Sequence, residues 1–192
     1  MQDFPAALQG LLSRGADLAA APVDAWDPPD CGDIDMCIRA DGSWQYCGSG
    51  IGREALVRLF AKVLRRERDG RYVLVTPAEK VGIHVEDAPF LAVEMARQPA
   101  KNAKFPGVLV VRTNLDELVE VDEDHPLRFA RAEDGGFRAY VMVRRGLEAA
   151  FSRSLMFDLV EELVEHAGGL CLRSGDYVES VGPEILREEA GK

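Results

Sequence analysis

Apolar and polar positions alternate along much of the chain in short runs, which predicts β-strands paired in hairpins. Turn residues separate these runs: Asp41-Gly42, the segment "TPAEK" at 76–80, Glu133–Gly136 and Ser174-Gly175. Asp-Gly, and proline early in a turn, are typical of tight connections between neighbouring strands. The chain therefore predicts four hairpins, with further strands at "PFLAVEM", "VLVVRT" and "ELVEV".

Two stretches instead repeat their apolar residues with the 3.6-residue period of a helix. The first begins after Arg53, is expected to end between Arg66 and Asp69, and carries one apolar stripe: Leu56, Leu59, Phe60, Val63 and Leu64. The second lies within 144–169, with Leu147, Phe151, Leu155, Leu159 and Leu163 on one ridge. We expect Leu59, Phe60, Val63, Phe151, Leu155 and Leu159 to be almost fully buried.

The order hairpin, helix, hairpin occurs twice, and the helix starts "GREAL" and "GLEAA" are alike. This predicts an α+β fold of two β-hairpin–helix–β-hairpin units related by an internal structural repeat, with 52–66 superposing on 146–160. Chance similarity between short helical segments is the alternative. The expected domains are an N-terminal helix and extended strap at 1–30, a first unit at 31–105 and a second at 106–192. Leu8, Leu11 and Leu12 would form the apolar face of the N-terminal helix.

Composition excludes several classes of protein. The net charge of −10 over 192 residues argues against binding to nucleic acid or to an anionic membrane, because both need a basic surface. The sequence has no apolar run of the length that crosses a bilayer and no secretory signal, so we expect a cytoplasmic protein. Its four cysteines lack the paired spacing of a zinc site, which predicts free thiols and no metal or other cofactor.

The glycine-rich stretch "GSGIGR" at 48–53 is the nearest approach to a chemical motif. It lacks the lysine and hydroxyl residue of a phosphate-binding loop and the third glycine of a dinucleotide fingerprint, so we interpret it as a corner between a strand and a helix. Free N–H groups at a helix start nevertheless favour an anion. Arg53 would oppose the helix dipole there, so either Asp33 or Asp35 pairs with it, or it awaits an anionic ligand.

Residues 52–71 hold seven basic and three acidic side chains. One interpretation is a solvated helix face with a Glu54–Arg58 pair at i, i+4. The other is a docking surface for an acidic partner. That partner could be another protein, a nucleotide or this protein's own second helix. The second helix carries Asp158, Glu161, Glu162 and Glu165, so a homodimer is possible.

One block of motifs resembles a known family. The segments "CGDID", "DGSW", "IGREALVRLFAKVLRRE", "YVLVTPAEK" and "VEDAPF" are similar to those of the bacterial proteins called domain of unknown function 1285. The similarity extends over about 22–183. It implies a bacterial α+β protein built from repeated motifs, with a role suggested in signalling and no established activity.

We prefer the hypothesis of a non-catalytic module that binds a small anionic ligand or an acidic protein partner in signal transduction or regulation. Its site would lie in a cleft between the halves, near Asp33, Asp35, Ser49, Gly50, Arg53 and Arg58. No complete nucleophile–base or metal set can be assembled. The alternative is a hydrolase-like or metal-assisted enzyme that uses His84 and Glu86, which share one face of a strand, or the Asp33/Asp35 pair. A structural homo-oligomer is a third hypothesis.

Overall fold

The computed structural model describes residues 22–99, 106–132, 136–166, 169–182 and Ile185. The chain divides into two compact units, one up to Ala88 and one from Pro89. This division falls before the strand at 90–98, whereas the sequence suggested a boundary after residue 105. The predicted N-terminal helix lies outside the described residues.

The first unit is built around one six-stranded sheet. Its elements are a 3₁₀ turn at Val23–Ala25, β1 Asp30–Ile38, β2 Trp44–Tyr46, β3 Ser49–Gly50, helix α1 Glu54–Lys62, β4 Leu64–Arg66, β5 Tyr72–Val75 and β6 Lys80–Val85. The strand order is β3-β2-β1-β6-β5-β4. Strands β1 to β3 and β4 to β6 are two antiparallel meanders, and β1 and β6 join them as a parallel central pair.

The second unit contains a six-stranded sheet and a smaller three-stranded one. Its elements are β7 Phe90–Gln98, β8 Val108–Thr113, β9 Leu118–Glu120, β10 Leu127–Arg131, β11 Phe137–Arg144, β12 Leu147–Phe151, helix α2 Arg153–Glu161, β13 Val164–His166, β14 Gly169–Ser174 and β15 Tyr177–Ser180. The larger sheet has the order β10-β11-β12-β7-β8-β9, and β13, β14 and β15 form the smaller sheet. Here β7 and β12 are the parallel central pair.

The hairpins that the turn residues predicted are present. Asp41-Gly42 joins β1 to β2, 76–79 joins β5 to β6, and Gly175 lies in the turn between β14 and β15. Strands β10 and β11 pair from Leu127↔Val141 to Arg131↔Phe137. The turn signals thus located these strand pairs correctly, because such turns leave few backbone conformations for the flanking residues.

Both predicted helices are shorter than expected. Helix α1 ends at Lys62, and Leu64–Arg66 pairs with β5 as strand β4. Phe60 and Val63 are fully buried as predicted, whereas Leu59 is only half-buried. The predicted second helix begins as strand β12, since a two-residue turn at Arg145-Gly146, both at positive φ, returns the chain along β11.

Pairing on both edges of β12 overrides the helix propensity of "LEAAF". Phe151, Leu155 and Leu159 are buried as predicted, but Phe151 lies in the strand and only Leu155 and Leu159 lie in α2.

The predicted fold class is therefore wrong. The described residues form fifteen strands and two nine-residue α-helices, which is a mostly β protein and not an α+β fold. The two large sheets share one strand order, but the predicted superposition of 52–66 on 146–160 fails. Helix α1 connects β3 to β4 inside its sheet, whereas α2 follows β12, the last strand of the other. Neither helix among the described residues is long and apolar enough to span a membrane.

Candidate functional site

The glycine-rich stretch forms a tight hairpin followed by the start of α1. Cys47 and Gly48 have φ values of 48° and 71°, which is the geometry of a two-residue turn with both central residues left-handed. Tyr46 and Ser49 pair across this turn, and Gly50 pairs with Gln45. The stretch is therefore a corner, as predicted. It contains the antiparallel edge strand β3 and does not follow the parallel strand of a phosphate-binding fold.

The N-terminus of α1 has no side-chain cap. Arg53 is the N-cap residue, and its carbonyl accepts hydrogen bonds from the amides of Leu56 and Val57 at 2.9 and 3.2 Å. The predicted Glu54–Arg58 pair is present at 3.0 Å. Arg53 is exposed, and among the described residues its side chain has no ion pair or hydrogen bond. The predicted pairing of Arg53 with Asp33 or Asp35 is wrong within the described residues, because Asp33 contacts Arg71 instead and Asp35 has no ion pair there.

A concavity of about 430 Å³ opens beside this corner. The residues around it come from the β1–β2 turn, from β2 and β3, and from the first turn of α1: Gly42, Ser43, Trp44, Gly50, Ile51, Gly52, Glu54 and Val57. Its walls are mainly apolar. A Cβ built on Gly50 or Gly52 would meet no atom within 4 Å, so these glycines leave open space.

Trp44 gives this concavity its unusual chemistry. The residue is 2% exposed and packs against Phe60 with ring centroids 6.2 Å apart. Its indole Nε1 is buried and has no hydrogen-bond partner among the described residues. A buried tryptophan N–H normally finds an acceptor, because an unpaired buried donor destabilises the fold. Trp44 therefore lines the concavity and carries a buried donor that no described residue accepts from.

Asp33 belongs to a different cluster, at the start of β1. Arg71 contacts Asp30 and lies 3.3 Å from Oδ1 of Asp33. The Gly32 amide, which donates to Asp30 at 2.9 Å, and the Arg71 guanidinium lower the pKa of the Asp30 carboxyl, and Asp30 in turn raises the pKa of Arg71. Gly82 pairs with Asp33 across the central strands, and the Asp33 carboxylate covers its Cα. This arrangement stabilises the fold of the first unit.

The basic residues within 52–71 also have separate structural roles. The Arg65 side chain, 12% exposed, donates at 2.7 Å to the carbonyl oxygens of Val23 and Trp26 and pairs with Glu67 at 2.5 Å. It thereby fastens the segment before β1. Since Arg65 and Arg71 are engaged within the fold and Arg65 lies on a strand, the run does not form one basic helix face.

Glu86, an acid of the alternative enzyme hypothesis, is likewise engaged within the fold. Glu86 pairs with Arg39 at 3.0 Å and accepts from the Ala40 amide at 2.9 Å. His84 is exposed on β6. Asp35 is exposed, and its carbonyl accepts from the Cys47 amide. The described residues contain no group of three or more His, Cys, Asp or Glu side chains that could hold a metal, and their four cysteines are free thiols.

The structure thus groups only part of the predicted site. Gly50 lines the concavity, and Ser49, Arg53 and Arg58 are its neighbours along the chain, whereas Asp33 and Asp35 lie on β1. Sequence reasoning missed Trp44 as a site residue. Its position directly after the Asp41–Ser43 turn gave no signal of this, because local spacing does not show whether a buried N–H finds an acceptor.

These features define a mostly β protein of two units with an open, glycine-lined concavity in the first. The family model described as domain of unknown function (DUF1285), N-terminal domain, matches residues 21–88. The model described as protein of unknown function (DUF1285), C-terminal domain, matches residues 89–178. The chain therefore belongs to the DUF1285 family, as the resemblance of its motifs predicted.

Two solved structures of DUF1285 family proteins are similar to the chain. One, from Silicibacter pomeroyi DSS-3, is 40% identical, with 88% of this chain and 92% of that chain covered and a TM-score of 0.79. The other, from Shewanella baltica OS155, is 30% identical, with 67% of this chain and 91% of that chain covered and a TM-score of 0.52. No curated protein matches the chain.

Proposed function

We propose that this protein is a non-catalytic module that binds a small ligand in the concavity beside α1. The buried, unpartnered indole N–H of Trp44 is the observation that carries this proposal. An acceptor atom on a ligand would satisfy a donor that the described residues leave unpaired. The volume of about 430 Å³ is that of a small-molecule site.

The surroundings favour a small anionic ligand with a flat apolar body. Trp44, Ile51 and Val57 offer apolar walls, and Gly50 and Gly52 allow a close approach to the backbone. The N-terminus of α1 favours negative charge, because the first amides of a helix lack intrahelical acceptors and no side chain caps them here. An aromatic carboxylate or a phosphate ester combines these properties.

The positions of the carboxylates support binding over catalysis. Asp33 and Glu86, two of the three acids of the alternative enzyme hypothesis, contact Arg71 and Arg39 in the folded chain. A general base needs a carboxylate that is available to a substrate. A module that binds without turnover fits a role in signal transduction or regulation, where occupancy of the site is the signal.

Tryptophan fluorescence tests the proposal directly, because the chain has only Trp26 and Trp44. In a Trp26→Phe variant, all indole emission comes from the proposed site. We expect titration with benzoate, phenyl phosphate or inorganic phosphate to change this emission with saturation for at least one of the aromatic anions. The same compound at a hundred times its Kd should stabilise the fold by about 2.7 kcal/mol.

A pair of glycine variants locates the binding. Gly52→Leu fills the concavity and should abolish the response, whereas Gly169→Leu, at a glycine of the second unit with equally open space, should leave it intact. Arg53→Met should weaken the binding of anions and leave the binding of a neutral analogue such as benzamide unchanged. Binding that survives Gly52→Leu, or the absence of a saturable response to every compound, would refute the proposed site.

A further inference from the structure

The outer face of α2 carries apolar side chains that the described residues leave uncovered. Phe157 is 68% exposed, Val160 is 47% exposed, and Val164, just beyond the helix, is 45% exposed. Leu155 and Leu159 bury the opposite face. Exposed apolar residues clustered on one surface mark an interaction site more often than isolated ones do.

The exposed residues of this face are arranged around the midpoint of the helix. Helix α2 runs from Arg153 to Glu161, and Phe157 is its fifth and central residue. Arg153, Ser154, Phe157, Val160 and Glu161 follow the spacing i, i+1, i+4, i+7, i+8, which places them on one side of an α-helix. The face thus has an aromatic centre with a cation at one end and an anion at the other.

Arg153 and Glu161 each lie at the end of α2 where the helix dipole disfavours their charge. The first turn contains Arg153 and no acid, and the last turn contains Glu161 and no base. A helix prefers the reverse arrangement, with acids first and bases last. Neither side chain has an ion pair within the described part of the chain, so no described residue compensates these charges.

We infer that this face of α2 binds the same face of a second copy, with the two helices antiparallel about a twofold axis at Phe157. Such an axis brings Arg153 opposite Glu161 of the partner subunit and Ser154 opposite Val160 of the partner subunit. Each terminal charge then lies beside the helix end of opposite polarity on the other chain. Twofold, self-complementary contacts of this kind are the commonest symmetric association of soluble proteins.

The expected dimer is weak, because one nine-residue helix from each chain supplies a contact below the size of a standard stable interface. Sedimentation velocity of the full chain from about 1 μM to about 500 μM covers the Kd range of weak complexes. We expect the sedimentation coefficient to rise from the monomer to the dimer value over this range. A monomer at every concentration would overturn the inference.

Substitutions distinguish this face from another. Phe157→Asp should abolish the dimer, whereas Leu118→Asp, at a 71% exposed apolar residue on β9, should not. The melting temperature of both variants should stay near the wild-type value, because both side chains are exposed. A dimer that resists Phe157→Asp would place the interface elsewhere and refute the proposal.

Charge reversal tests the antiparallel arrangement itself. Arg153→Glu and Glu161→Arg should each weaken the dimer by roughly tenfold or more, because each places like charges together. The double variant restores both pairs in the opposite sense and should recover most of the wild-type affinity, although each charge then lies beside a partner helix end of like polarity. Failure of the double variant to recover would exclude the antiparallel pairing.

Discussion

The two large sheets have the same strand order but stabilise their central parallel strands by different means. In the second unit, β7 and β12 pair without a register shift over Phe90↔Ala149 to Ala92↔Phe151, and most of the paired side chains are buried and apolar. In the first unit, β1 and β6 pair with two register shifts, and β1 begins with four exposed residues. One sheet depends on packing at its centre, and the other adds polar contacts between side chains.

This difference shows that strand order alone does not fix which residues are critical. In the second unit the central pair is part of the core, so a volume change there should be costly. In the first unit the corresponding pair uses the Asp33–Gly82 contact and the Arg71 ion pairs, where solvent screens the charges. We therefore expect destabilisation to differ in size and in its dependence on pH.

A substitution in the packed central strand pair of the second unit should destabilise the protein most. Phe90 is 1% exposed, with the Arg144 guanidinium 4.9 Å from its ring centre. Phe90→Ala removes a buried aromatic ring and should destabilise the protein by about 3–5 kcal/mol in urea denaturation. Phe129→Ala, at a half-buried ring on edge strand β10, is the matched control and should cost less. A loss below about 1 kcal/mol for Phe90→Ala would show that this centre is not a packed core.

The central strand pair of the first unit should be destabilised by a substitution at Gly82. A Cβ built there would lie 1.8 Å from Oδ1 and 2.9 Å from Cγ of Asp33, so the carboxylate must move and lose its contact with Arg71. Gly82→Ala should therefore cost about 1 kcal/mol, because the Asp33 side chain is exposed and its carboxylate can move. Gly50→Ala, in the same sheet with open space around it, is the control and should change stability by less than about 0.5 kcal/mol.

A double-mutant cycle identifies the cause at Gly82. In an Asp33→Ala background the clashing carboxylate is absent, so Gly82→Ala should lose most of its cost. An unchanged cost in that background would mean that the backbone, and not Asp33, excludes the methyl group.

The two helices differ in how their N-termini are capped. The hydroxyl of Ser152 accepts from the Leu155 amide at the start of α2, whereas Arg53 gives α1 no side-chain cap. Ser152→Ala should destabilise the protein by about 0.5–2 kcal/mol, and Ser152→Thr should restore most of it. Arg53→Asp supplies the missing cap and should stabilise by a similar amount. A neutral result at Arg53 would indicate that this helix start is already satisfied.

The features that the sequence predicted correctly depend on local chemistry. Asp41-Gly42 located the first hairpin, because few residues other than glycine accept the φ of 80° found at Gly42. The Glu54–Arg58 pair and the burial of Phe60 also followed from helical spacing over one or two turns. Such features need no knowledge of distant segments.

The features that could not be predicted from the sequence depend on contacts between residues that are far apart in the chain. "LEAAF" is a good helix-forming sequence, and only its pairing with β7 and β11 makes it a strand. Asp33 finds Arg71 and not Arg53 because β1 lies beside β6, which a parallel pairing across more than forty residues determines. The unpartnered indole of Trp44 is a property of the packed unit, since local spacing carries no information about a missing acceptor.

The smallest expected effect is electrostatic, and its pH dependence distinguishes it from the packing terms. The Gly32 amide and Arg71 lower the pKa of Asp30 below its ordinary value of 3.8, so the folded state favours the carboxylate. A group with a lowered pKa contributes stability above its ordinary pKa, and that contribution is lost as the pH falls through the folded value. Asp30→Asn should therefore lower the melting temperature slightly at neutral pH, and its difference from the wild type should vanish as the pH falls well below 3.8.

Asp35→Asn, which removes a carboxylate on the same strand without a described ion pair, should keep the wild-type acid profile. A constant difference between Asp30→Asn and the wild type from neutral to acid pH would show that Asp30 stabilises β1 through its shape and hydrogen bonds, and not through its charge.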